Sequence, residues 1–226
     1  MSKILNKKIY RIILCILVLL SMYVLPTIFL IIFNKTGIKN ELISYIISLL
    51  IYIVILTLVF LPELKAEFKV FKNNTKNSFD NGFKYWLLGL FIMIISNVIL
   101  NYIVFKGKIA ANEELNRQAI LSNPVWYTVL SVGFIAPIME ELIFRKSLDK
   151  IFNNPIFYYL VSGLLFGFAH ALADLSNVLY LLYIIPYGAL GFVFALMDKK
   201  TNTVFTSIVM HSIHNLLTLG LLFIVL

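Results

Sequence analysis

Two adjacent carboxylates, Glu140 and Glu141, stand near the end of an apolar run, in the stretch Pro137-Ile138-Met139-Glu140-Glu141-Leu142-Ile143-Phe144-Arg145. An ionisable side chain inside a membrane span is costly, about 2.5–3.5 kcal/mol for an aspartate on insertion scales, so such a residue is by default a candidate functional group. Glu141 and Arg145 are four apart and share a helix face, where they can pair, whereas Glu140 points roughly 100° away and lacks that partner. The asymmetry predicts two different roles. All three histidines, His170, His211 and His214, also fall inside apolar runs, and Asn215 follows His211 by four residues. Carboxylates, imidazoles and an amide held out of water are groups that can activate a water molecule and stabilise an oxyanion.

The elements that must position these groups are membrane helices. The chain has 226 residues, is 61% hydrophobic and only 13% charged, and has a mean hydropathy of +0.93. That leaves too little polar residue to coat a soluble domain, and predicts an all-α integral membrane protein. The net charge of +8 does not point to nucleic acid, because the basic residues lie between apolar runs and form no aromatic-interleaved surface. Cys15 lies within the first run, so no disulfide framework exists, and a buried inert thiol is expected. Apolar runs near 12–33, 42–61, 85–105, 125–144, 156–172, 178–197 and 204–226 are long enough for about seven spans. The first is too long for a signal peptide and has no small-residue cleavage site.

With the amino terminus in the cytoplasm, fourteen of the 19 Lys and Arg residues fall in inside segments and five (Lys35, Lys39, Lys106, Lys108 and Arg117) in outside ones. This bias predicts a multi-pass membrane protein with the amino terminus inside and the carboxyl terminus outside, and the short chain with its Lys- and Asn-rich loops is expected in a plasma membrane. No repeat of 20 to 50 residues is visible, and 72–77, rich in Lys and Asn, reads as a plain loop. We therefore expect one transmembrane domain over 1–226, with three accessory anchoring spans and their loops in 1–124 and the chemically unusual residues in the half that follows.

Depth along the helices asks whether the polar groups can meet. Spans four and five turn near Asn153-Asn154-Pro155, and Glu140 and His170 each lie 15 residues from Pro155. At about 1.5 Å per residue both are roughly 22 Å from the turn, and so at one level. A turn near Lys199-Lys200 places His211 and Asn215 at a similar level or one helical turn closer to the cytoplasm. His214 reads as a packing residue, Gly163 and Gly167 as a close helix contact, and Pro137 and Pro186 as kinks, with the kink beside Glu140 freeing backbone groups to line a cavity.

These residues carry a family resemblance. Glu140-Glu141 followed by Arg145 resembles the EExxxR signature of the CAAX protease and bacteriocin-processing (CPBP, Abi-like) family of intramembrane endopeptidases. Phe166 to His170 resembles its FxxxH signature, and His211 to Asn215 its HxxxN signature. Lys146 stands where many members carry glycine. The resemblance spans roughly 125–219 and implies peptide-bond hydrolysis inside the membrane. Glu140 is then the candidate base, Glu141 is held by Arg145, His170 holds or polarises the water, and His211 with Asn215 donates to the oxyanion. A zinc ion held by Glu140, His170 and His211 is the alternative chemistry, although the HExxH spacing is absent. The cofactor therefore stays open. The expected partners are the lipid bilayer and a membrane-associated peptide or prenylated-type protein substrate, reached from the cytoplasm. A non-catalytic adaptor or bacteriocin self-immunity protein of the same fold is the competing class, and a transporter is disfavoured by the lack of a paired repeat.

Overall fold

The computed structural model describes residues 2–36, 40–107, 111–172 and 178–225, so that Lys39 and Lys108 of the charge count lie outside the described residues. Among those described, regular structure is entirely helical. The helices are α1 (Ser2–Lys35), α2 (Glu41–Val59), α3 (Leu61–Asn73), α4 (Thr75–Ile99), α5 (Ala111–Ser122), α6 (Val125–Lys146), α7 (Pro155–Ala171), α8 (Ile184–Thr201) and α9 (Val204–Val225). A π-helical turn, Leu100–Val104, extends α4, and a 3₁₀ segment, Val178–Tyr183, leads into α8.

Six of the seven apolar runs form helices long and apolar enough to cross a bilayer; the fifth forms the shorter α7, of 17 residues. Its start is set locally, since Pro155 occupies the first turn, where no N–H is required, and Asn154 Oδ1 caps the Ile156 N–H at 2.8 Å. The outward faces of α1, α2 and α4 carry exposed Leu17, Leu20, Leu58, Phe91 and Ile94. In water these would be a liability, but around a membrane bundle they are the lipid-facing surface.

The polar stretch expected to be a loop at 72–77 is instead helical apart from Asn74, the junction of α3 and α4. Pro62 starts α3, and Leu64, Phe68 and Phe71 fall on one face, with Leu64 buried and the two phenylalanines against Phe205 of α9. Helical periodicity outweighs the local Lys/Asn composition. Pro186 likewise makes no kink. It lies in the first turn of α8, just after the 3₁₀ segment, where its missing N–H leaves no intrahelical bond broken.

Two devices hold the bundle together. Along α7 and α8 the backbones meet at glycine. A Cβ on Gly163 would lie 2.8 Å from the Gly188 carbonyl oxygen, and one on Gly167 would lie 2.6 Å from that of Ile184. No larger residue fits that approach, which fulfils the expected small-residue contact. At one end of the bundle an ion network ties α1, α3, α6, α8 and α9. Arg11 pairs with Glu63, Lys146 Nζ reaches Glu67 at 2.5 Å and Asp149 at 3.2 Å, and Lys199 Nζ reaches Asp149 at 2.5 Å. Glu67 Oε2 also accepts from the Val204 N–H at 2.9 Å, which caps the start of α9. Burial pushes the Asp149 carboxyl up, but Lys146 and Lys199 outweigh it and hold that carboxyl below the usual range. Lys146 is buried at the centre of this network, so the residue standing in place of glycine has a structural reason.

Candidate active site

Helix α6 is irregular around the two glutamates. It passes from an α segment into a π turn at Ser131–Ile135, back to α at Ala136–Glu141, and into a second π turn at Leu142–Lys146. Proline explains the first interruption. The Ala136 N–H bonds to the Ser131 carbonyl, and Pro137 has no N–H, so the Val132 carbonyl has neither its α nor its π partner. Asn215 of α9 supplies the missing donor, its Nδ2 lying 2.8 Å from Val132 O. The expected freeing of backbone beside Pro137 is thus present, and it docks α9 onto α6.

The two glutamates occupy different surroundings. Glu141 is fully buried; Arg145 clasps it with Nε to Oε2 at 2.9 Å and Nη2 to Oε1 at 3.1 Å. The remaining arm of the guanidinium donates to Ser162 Oγ at 2.6 Å, and Ser162 donates in turn to the Phe144 carbonyl at 2.8 Å. The guanidinium plane lies over Phe166, 5.0 Å from its centroid. Glu141 also accepts from His211 Nδ1 at 3.0 Å. Glu140, by contrast, faces the cavity, and its Oε2 has no hydrogen-bond partner among the described residues.

Both histidines are aimed at Glu140. His170 donates from Nδ1 to the Phe166 carbonyl at 2.8 Å and stacks on Tyr187, which leaves Nε2 at 3.9 Å from Glu140 Oε2. His211, fixed through Nδ1 by Glu141 and stacked on Phe194, presents Nε2 to the same oxygen at 3.7 Å. Because each Nδ1 carries the donated proton, each ring in its neutral form offers a lone pair at Nε2. Three proton acceptors therefore converge on one point of a cavity of ≈ 270 Å³, whose lining includes Val132, Ala136, His214, Asn215 and Thr218. Asn215 uses one amide N–H on Val132 and keeps a second.

The residues expected to meet, Glu140, Glu141, Arg145, His170, His211 and Asn215, do come together. As regards zinc, no group of three His, Cys, Asp or Glu side chains placed to hold a metal ion is found among the described residues. His214 is hydrogen-bonded as a packing histidine would be, its Nδ1 accepting from Trp86 Nε1 at 3.3 Å, and it also lines the cavity. Sequence reasoning missed Ser162 and Trp86. A serine inside an apolar helix was the available signal for the first, whereas nothing in the sequence links Trp86 with a histidine 128 positions away.

A helical membrane bundle with a carboxylate and two imidazoles directed into a polar cavity defines a class, the membrane-embedded acid–base sites. Comparison with known proteins narrows it. Residues 122–217 match the family described as Type II CAAX prenyl endopeptidase Rce1-like, and this segment holds all three motifs. What that match and the name of the first relative support is a CAAX-type membrane protease at the level of the family. The chain is 29% identical over 180 residues to "Putative membrane peptidase YdiL" of Bacillus subtilis, covering 77% of this chain and 68% of that protein. It is 28% identical over 166 residues to "UPF0177 protein YxdF" of Lactococcus lactis, covering 72% and 88%. No solved structure matches the chain.

Proposed function

We propose that the protein is an intramembrane endopeptidase that hydrolyses a peptide bond of a membrane-associated peptide or protein with water activated at Glu140. The observation that carries this is the convergence of Glu140 Oε2, His170 Nε2 and His211 Nε2. Three acceptors facing one another repel unless something between them donates, and a water molecule offers two O–H groups and a nucleophilic oxygen. Glu140 takes one proton as the water oxygen bonds to the peptide carbonyl carbon, while His170 orients the other O–H. The carbonyl oxygen becomes an oxyanion, to which the second N–H of Asn215 donates. Collapse of the tetrahedral intermediate breaks the C–N bond, and the proton held by Glu140 passes to the departing amine. Glu141 keeps His211 in register and balances any positive charge arriving on its ring, and Arg145 with Ser162 keeps Glu141 in place.

The test uses the purified protein in liposomes with a library of lipid-anchored peptides, read by mass spectrometry. Wild type should cleave, and Glu140→Gln, an isosteric change that removes the base, should lower turnover by about 10²-fold or more. His170→Ala should fall into the same range. A strong chelator should leave the wild-type rate unchanged. Wild-type cleavage by the Glu140→Gln protein would sink the mechanism. Turnover lost to chelator and restored by zinc would instead assign the three acceptors to a metal.

A further inference from the structure

We infer that the cavity is entered from the side of the membrane opposite the Lys-rich end of the bundle, so that the site works on peptide segments lying in or beyond the outer half of the bilayer. The cluster has a floor on one side only. Between Glu140 and the ion network of Lys146, Asp149 and Lys199 lie Ile143, Phe144, Arg145, Phe194 and Met197, each essentially inaccessible, with Arg145 over both Phe166 and Phe194. That packing leaves no passage from the network to Glu140 among the described residues.

Away from the floor the cavity continues, and each helix lining it does so with residues further from the ion network. α6 runs toward the network and contributes Val132 and Ala136, which precede Glu140. α9 runs away from it and contributes His214, Thr218 and Leu222, which follow His211. Asn97 lies near the far end of α4, and Glu113 belongs to α5, which packs between α6 and α7 at the far end of the bundle. At about 1.5 Å per residue, the eleven positions from His211 to Leu222 amount to roughly 16 Å of cavity wall. The Lys-rich end, formed by α3 and by the turns between α6 and α7 and between α8 and α9, is by the charge bias the cytoplasmic one. The entrance therefore lies outside, not on the cytoplasmic side expected from the sequence, where shared depth alone did not reveal which end of the site is sealed.

The consequence for the substrate rests on the hydrolase reading above: the scissile bond belongs to an exported or membrane-embedded peptide rather than to a prenylated tail on the cytoplasmic face. The entrance itself can be tested without a substrate. In intact cells, a membrane-impermeant thiol reagent should modify Ala136→Cys, one turn from Glu140 on the cavity wall, and Thr218→Cys further out. It should leave Lys76→Cys unmodified until the cells are opened, and the parent protein, whose Cys15 is buried, unmodified throughout. Modification of Ala136→Cys and Thr218→Cys only after the cytoplasmic face is exposed would overturn the inference, as would no modification of either from either side. Cleavage that survives with cytoplasmic labelling overturns the entrance alone. Outside labelling of a protein that cleaves no peptide leaves the entrance standing and removes the hydrolase reading.

Discussion

At the scale of the residue, the adjacent glutamates differ because a helix turns about 100° per residue. One carboxylate is carried into a closed set of donors and the other into the cavity. Their substitutions should separate stability from function. Arg145→Ala takes from the fully buried Glu141 both guanidinium N–H donors, and breaking a buried pair of this kind costs about 3–5 kcal/mol. The detergent-purified variant should unfold at clearly lower temperature than wild type. Glu140→Gln removes no protein hydrogen bond at Oε2, so its unfolding temperature should stay near wild type while cleavage is lost. An Arg145→Ala protein as stable as wild type would show that the pair does not hold the site.

At the scale of the element, the site depends on helices that depart from regularity where chemistry is placed. The two π turns of α6 bracket Glu140 and Glu141, and the glycine seam between α7 and α8 sets how far His170 stands from them. Gly167 is three positions from His170 on α7. A methyl group there would meet the Ile184 carbonyl oxygen at 2.6 Å, a backbone atom that cannot rotate aside. Gly167→Ala should therefore destabilise the protein by about 1–3 kcal/mol, as overpacking does, and should lower cleavage as α7 shifts. Gly220→Ala is the control. A Cβ there meets nothing within 4 Å, and alanine favours the helix by up to about 1 kcal/mol. Equal thermal stability of the two variants would mean that the close seam is not what positions α7.

At the scale of the whole molecule, the chain has a Lys-rich end tied by the ion network and an opposite end toward which the cavity runs. Reporter fusions after Lys76 and after Lys200 should report cytoplasm, and one near Asn116 should report the exterior. The reverse pattern would invert the orientation of the bundle and, with it, the side of entry.

Much of this was legible in the sequence because membrane composition, charge bias and helical spacing are local properties. The apolar runs announced a helical bundle, the four-residue interval of Glu141 and Arg145 announced their pairing, and equal distances from a proline turn brought Glu140 level with His170. The three motifs, in order, announced the family. Other features needed the tertiary structure because they join residues far apart in the chain. Only the assembled fold has His211 held by Glu141, Asn215 supplying the donor that Pro137 withholds from Val132, and Trp86 reaching His214. Lys146 looked like an incidental departure from glycine, and only the packing of α3 against the end of α6 brings Glu67 to it. The direction of the cavity was likewise decided by packing: periodicity places groups at one depth, but which end of that depth is filled depends on the side chains that neighbouring helices bring to it.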